Sequence, residues 1–76
     1  AAQQEREFGE AVQAYEKAIQ AHPNDWETWN NLGNARTGNG DHDGAVAALR
    51  QALELNPASA PTRLNLASAL ILIGEV

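Results

Sequence analysis

Hydrophobic side chains recur three and four residues apart along the whole chain, which is the spacing of one face of an α-helix. In the first such segment, Val12, Tyr15 and Ile19 fall on one stripe. The pattern predicts four helices, over residues 8–22, 26–38, 42–55 and 60–73. The connections between them are only a few residues long, so consecutive helices must run antiparallel. The predicted fold class is therefore all-α.

Residues that favour helix ends separate these segments. Asn24 precedes Glu27 by three positions, as in a capping box, and so predicts the start of the second helix. Asp41 is placed to cap the third helix, and Ser59 the fourth. Pro61 then falls in a first turn, where its missing N–H is harmless.

The sequence repeats itself with a period of 34 residues. A shift by 34 brings identical residues together, among them Ala11/Ala45, Val12/Val46, Ala14/Ala48, Ala18/Ala52, Pro23/Pro57, Thr28/Thr62, Asn31/Asn65, Leu32/Leu66, Ala35/Ala69 and Gly40/Gly74. One helix pair cannot bury its apolar stripe alone, whereas stacking the next pair on it completes the burial. The period therefore predicts a helical solenoid.

Within this period stands a recurring signature, made of Trp29, Leu32, Gly33, Ala45, Leu49 and Pro57. It resembles the tetratricopeptide repeat, whose pattern is W-x2-L-G-x2-Y, A-x3-F and a closing Pro over 34 residues. The resemblance implies an α-α superhelix of antiparallel helix hairpins. Residues 26–59 would form one complete repeat, residues 1–25 the second helix of a preceding repeat, and residues 60–76 the first helix of a following one.

The chain departs from the family pattern at a few positions. Arg36 and Leu70 stand where the family prefers Tyr, and Arg63 stands where it prefers Trp. Ala67 replaces a Gly at a position where helices approach closely, and a larger side chain there would overpack the contact.

In this family the first helix of each pair lines a concave groove, which implies a non-catalytic module that binds an extended peptide or a partner helix. Asn31 and Asn65 lie one repeat apart on that face, and each amide offers a donor and an acceptor to a peptide backbone. We expect them to be the main anchors. Selectivity would come from Asn30, Asn34, Glu27, Leu64 and Ser68. The alternative is that these amides bond neighbouring helices instead.

Ten acidic against five basic residues give the 76-residue chain a formal charge of −5. Nucleic acid is therefore not an expected partner, because phosphate binding lacks its electrostatic driving force. The variant of the family that clamps a C-terminal carboxylate uses Lys, Asn and Arg. Here Asn30 and Pro61 replace the lysines and Asn65 replaces the arginine, so the clamp is incomplete.

No catalytic, cofactor or metal site is predicted. Cysteine is absent, and no serine, histidine and carboxylate fall into a nucleophilic arrangement. His42 lies between Asp41 and Asp43, but a metal needs three or four converging ligands, so packing or capping is favoured. Gly38-Asn39-Gly40 is interpreted as the turn that ends the second helix, since a phosphate-binding loop would follow a strand and precede Lys-Ser/Thr. The longest uncharged apolar run, residues 69–73, is far short of the ~20 residues that cross a membrane.

The last predicted helix is apolar on every side at its end, where Leu70, Ile71, Leu72 and Ile73 follow one another. Such a helix expects burial on more than one face. The sequence ends at Val76, where a partner helix is expected to begin. Two interpretations exist for these four residues: contact with the next helix of a longer array, or self-association through residues 60–76. The longer array is preferred, with self-association as its consequence in the isolated segment. A third possibility is that the segment is the targeting arm of a larger enzyme such as a glycosyltransferase.

Overall fold

The computed structural model describes residues 2–74, and the side chains from Glu7 to Gly74. The described chain consists of four α-helices joined by short turns: α1 Ala2–Ala21, α2 Trp26–Gly38, α3 His42–Leu55 and α4 Ala60–Leu72. Each helix packs against the one that follows it, and α2 also contacts α4. The prediction of an all-α helical repeat is confirmed.

The start of α2 differs in detail from the predicted capping box. Its N-cap is Asp25, not Asn24. The Asp25 carboxylate accepts hydrogen bonds from the backbone N–H of Glu27 at 3.2 Å and from the Thr28 hydroxyl at 2.9 Å. Asp25 has the extended backbone of an N-cap, and its carboxylate satisfies a free N–H of the first turn.

The other helix ends follow the predicted chemistry. Asp41 Oδ1 accepts from the Gly44 N–H at 2.9 Å and caps α3. Ser59 Oγ accepts from the Thr62 N–H at 3.4 Å and caps α4, with Pro61 in the first turn. Gly40 has φ +85°, a left-handed conformation that glycine adopts without a steric penalty. The α2–α3 turn therefore depends on Gly40.

The first helix begins earlier than the spacing predicts, at Ala2 instead of residue 8, and ends at Ala21. The segment before Phe8 contains only Ala, Gln, Glu and Arg, which are good helix formers. One period later, the same positions contain Gly38 and Gly40, which stop α2. The fourth helix ends at Leu72, one residue before the predicted end.

The core lies on both sides of α3. On one side, Ala45, Val46 and Leu49 form a buried cluster with Ala69 of α4. On the other, Gly33 of α2 lies so close that a Cβ placed there would be 2.5 Å from Leu49 Cγ. α3 is thus the central helix of the described chain.

Arg36 joins three helices from its position on α2. One guanidinium nitrogen donates to the Gly44 carbonyl of α3, and the other pairs with Glu16 of α1, both at 3.1 Å. One repeat later, Leu70 packs against the apolar cluster of α3. The same repeat position is therefore occupied by a charged, hydrogen-bonding residue in α2 and by an apolar packing residue in α4.

Candidate functional site

The predicted groove residues lie on α2 and α4, and most of them are exposed. We call the face they form the amide face. The exposed members are Glu27, Asn31, Asn34, Leu64 and Ser68, and the half-buried members are Asn30 and Asn65. Leu64 keeps 70% of its surface accessible. The sequence therefore places most of these side chains where a ligand can reach them.

Two amides of this face bond to each other. Asn65 Nδ2 donates to Asn30 Oδ1 at 3.2 Å, and this bond connects α4 to α2. Helix-to-helix bonding was the alternative role that the sequence left open for these amides, and Asn65 has it. The bond uses one of the two N–H groups of Asn65, so a second N–H and the carbonyl oxygen of this side chain are not consumed by it.

Asn31 and Asn34 border an open pocket between α1 and α2. Its other walls are Phe8, Ala11 and Tyr15 of α1 together with Ala35 of α2. Sequence analysis did not single out the α1 residues as a surface. The repeat offered a signal for two of them: Ala11 and Tyr15 are half-buried, whereas their equivalents one period later, Ala45 and Leu49, are 0% exposed.

The four apolar residues at the end of α4 do not share one environment. Leu70 and Ile73 pack against the α3 cluster. Ile71 and Leu72 are 65% and 57% exposed. Only Ile71 and Leu72 are thus largely available to a further helix or a partner.

The amide face carries little charge. Glu27 is its one ionisable member among the predicted residues. The nearest base on α2, Arg36, is engaged with Glu16 and with a backbone carbonyl. The geometry therefore suits neutral hydrogen bonding with a peptide backbone better than pairing with an anion.

His42 is half-buried at the start of α3, and its buried Nδ1 has no hydrogen-bond partner among the described residues. Residues 2–74 contain no group of three His, Cys, Asp or Glu side chains arranged to hold a metal ion. Within the same range, no helix is both long enough and apolar enough to span a membrane.

Comparison with known proteins identifies the family. The sequence profile of the tetratricopeptide repeat matches residues 1–60 and, in a second match, residues 38–76. The chain belongs to the tetratricopeptide repeat family. It is accordingly a helical-repeat protein–protein interaction module, built from helix hairpins.

Similar proteins include three fungal peroxisomal targeting signal receptors. The receptor of Kluyveromyces lactis is 34% identical over 68 residues, and that of Candida glabrata is 32% identical over 68 residues. Each alignment covers 90% of this chain and 12% of the receptor. The receptor of Candida albicans is 36% identical over 64 residues, which are 84% of this chain and 11% of the receptor. The chain thus spans about an eighth of the length of these relatives.

Proposed function

We propose that the chain binds an extended peptide segment of a partner protein along the amide face, with Asn31 and Asn65 as the main anchors. Asn30, Asn34, Glu27, Leu64 and Ser68 set the selectivity. In this proposal residues 26–59 form a complete repeat, flanked by the second helix of a preceding repeat and the first helix of a following one. Binding involves no chemical step on the ligand.

The Asn65–Asn30 bond is the observation that carries this proposal. It ties α2 to α4 across the amide face and holds Asn65 in one orientation, with hydrogen-bonding groups to spare. Asn31, exposed and next to Asn30 in α2, supplies a second amide. An extended peptide presents N–H and C=O groups in alternation, so one amide on each of the two first helices can bond its backbone.

The relatives suggest the class of peptide. They are peroxisomal targeting signal receptors. We therefore propose a targeting-signal peptide as the first ligand to test. Because the seven proposed residues include no Lys or Arg, the ligand is held through its backbone amides and apolar side chains, and a free C-terminal carboxylate is not required.

A second candidate function is self-association through residues 60–76, of which residues 75 and 76 lie outside the described range. Among residues 7–74, the exposed large apolar residues are Leu64, Ile71 and Leu72, and all three belong to α4. A third candidate, the targeting arm of a larger enzyme, has less support, since the similar proteins are receptors. Peptide binding remains the favoured function.

The test is a titration of fluorescent peptides that carry a peroxisomal targeting signal, with a scrambled peptide as reference. Each amide bond contributes about 1 kcal/mol, so the double variant Asn31→Ala/Asn65→Ala should raise the dissociation constant roughly tenfold or more. Asn24→Ala, an exposed asparagine in the α1–α2 turn, is the matched control and should bind normally.

Two results would contradict the proposal. One is that the folded wild-type chain distinguishes neither the signal peptide nor its amidated form from the scrambled peptide. The other is that the double variant binds the signal peptide as tightly as the wild type does in calorimetry. Equal affinity for the free-acid and amidated peptides is the result expected of a neutral groove.

A further inference from the structure

The turn between α2 and α3 contains an asparagine followed directly by a glycine, Asn39-Gly40, and both residues are exposed. A backbone nitrogen can attack the side-chain amide carbon of the asparagine before it, because the two atoms then close a five-membered ring. Glycine allows the closest approach of this nitrogen, since it has no Cβ to obstruct ring closure. Asn39 is therefore the asparagine of this chain that is chemically best placed to lose its amide.

The other six asparagines of the chain lack at least one of these conditions. Four lie within α2 or α4, where the helix fixes the backbone and the next residue carries a Cβ: Asn30, Asn31, Asn34 and Asn65. Asn56 precedes Pro57, whose ring nitrogen has no proton to give up. Asn24 lies in an exposed turn, but the residue after it is Asp25, whose Cβ obstructs the approach.

The attacking nitrogen is held in the hydrogen-bonded motif that ends α2. The Gly40 N–H donates to the Thr37 carbonyl at 3.1 Å, and the Asp41 N–H donates to the Arg36 carbonyl at 2.9 Å. With φ +85° at Gly40, these two bonds form a Schellman motif. Ring closure removes the Gly40 proton, so the bond to Thr37 has to open before the nitrogen can react.

The Asn39 side chain is not required for this turn. One period later, Ile73 has φ −92° and ψ 1°, against −85° and 0° at Asn39. Gly74 follows with φ +77°, and its N–H donates to the Ile71 carbonyl at 3.1 Å. Because an apolar residue forms the same turn, position 39 can be substituted without loss of the backbone geometry.

We propose that Asn39 is a site of spontaneous deamidation and that opening of the α2–α3 turn sets its rate. The Gly40 nitrogen bonds to Asn39 Cγ and loses its proton, the Cγ–Nδ2 bond breaks, and the amide leaves as ammonia. Water then opens the cyclic imide at either carbonyl carbon, which gives aspartate or isoaspartate at position 39. The net reaction consumes one water and releases one ammonia, and it needs no oxidant, cofactor or enzyme.

Both products should weaken the connection between α2 and α3. Each adds a negative charge at the C-terminus of α2, where the helix dipole is already negative. Isoaspartate also inserts a Cβ into the backbone, which displaces the Gly40 N–H from the Thr37 carbonyl. Asp41 is affected as well, because its N–H belongs to the same motif and its carboxylate caps α3 at the Gly44 N–H, 2.9 Å away.

The experiment incubates the intact folded chain at physiological temperature in neutral buffer made with heavy-oxygen water, and follows it by peptide mapping and mass spectrometry. Modified chains should carry one heavy oxygen at position 39, and this site should react before Asn24, an exposed asparagine in another turn. The same chain unfolded in guanidinium chloride should react roughly ten- to a hundredfold faster, because local opening of a helix end no longer limits the reaction.

Two variants separate the reaction from its consequence. Asn39→Gln is the matched control, because its longer side chain would have to close a less favourable six-membered ring, and position 39 should stay unmodified. Asn39→Asp adds the charge without the altered backbone, and it should melt roughly 1 to 8 °C below Asn39→Gln. The isoaspartate form, separated by chromatography, should melt lower than Asn39→Asp.

Three results would overturn the proposal. One is a folded chain in which Asn39 stays intact after the unfolded chain has reacted completely, or in which Asn24 reacts first. Another is an equal rate in the folded and the unfolded chain, which would show that the turn does not control the reaction. The third is an Asn39→Gln variant that takes up heavy oxygen at position 39 as fast as wild type does.

Discussion

Asn65 Nδ2 lies 3.2 Å from Asn30 Oδ1, and this hydrogen bond joins α4 to α2 across the amide face. The two residues are 35 positions apart, one more than the period, so the bond pairs different positions of successive repeats. Leu64 stands one period after Asn30 and cannot form such a bond. The contact is thus specific to this pair of repeats, and it couples the geometry of the proposed peptide site to helix stacking.

Removal of this bond should lower stability, because it leaves a half-buried amide without its partner. Asn30→Ala is expected to reduce the free energy of unfolding by about 1 kcal/mol. The adjacent Asn31→Ala changes an exposed residue and should cost less than about 0.5 kcal/mol. Urea unfolding followed by circular dichroism measures both values. Equal costs for the two variants would show that the Asn65–Asn30 bond does not stabilise the helix pair.

A second prediction concerns the closest approach of two helices. Gly33→Ala places a Cβ 2.5 Å from Leu49 Cγ, which forces α2 and α3 apart. We expect a loss of about 1 to 3 kcal/mol by overpacking. Gly9→Ala is the matched control, because no atom lies within 4 Å of a Cβ at that helical position. That substitution should stabilise α1 by about 0.5 to 1 kcal/mol.

The two glycine variants can be compared by thermal unfolding under one set of conditions. Their melting temperatures should move in opposite directions. A Gly33→Ala protein as stable as wild type would mean that the Leu49 side chain moves aside at little cost. Alanine at the equivalent position 67 would then cost no stability either.

Sequence reasoning predicted α2 and α3 to the residue because their ends are set by local chemistry. Gly40, just after α2, acts through its backbone angle, and Asp41, just before α3, acts through its side chain within a few residues. The Arg36 contacts could not be predicted in this way. They depend on which distant groups, Glu16 and the Gly44 carbonyl, the tertiary packing brings near the guanidinium.

The amide face was predictable as a set of positions, but the roles within it were not. A 34-residue period makes Asn31 and Asn65 equivalent, although Asn65 is half-buried against Asn30 while Asn31 is exposed. Asn31 and Asn65 differ in environment because α2 and α4, the two first helices of the described chain, contact each other on one side only. Identity of sequence therefore did not imply identity of environment.

A third prediction separates the two candidate caps of α2. Asp25→Ala removes the acceptor of the Glu27 N–H and should cost about 1 kcal/mol. Asn24→Ala, one residue earlier, removes no capping contact and should leave stability within about 0.5 kcal/mol. Chemical denaturation at neutral pH provides both values. If Asn24→Ala lowered stability more than Asp25→Ala, the capping box at Asn24 would be the correct interpretation.

The last prediction divides the stabilising effect of Arg36 between its two partners. Glu16→Gln removes the ion pair, whose carboxylate side chain is 46% exposed. Exposed pairs contribute about 0.2 to 1 kcal/mol, and salt screens them. Arg36→Met also removes the bond to the half-buried Gly44 carbonyl, and a charged donor of this kind is worth about 1.5 to 3 kcal/mol.

Arg36→Met should therefore destabilise the chain more than Glu16→Gln at every salt concentration. Urea unfolding in low and in molar salt tests this difference. The cost of Glu16→Gln should fall towards zero in molar salt, while most of the cost of Arg36→Met persists. If both costs vanished together, Arg36 would act through its charge alone. Its role would then be electrostatic attraction between α1 and α2, not a bridge from α2 to α3.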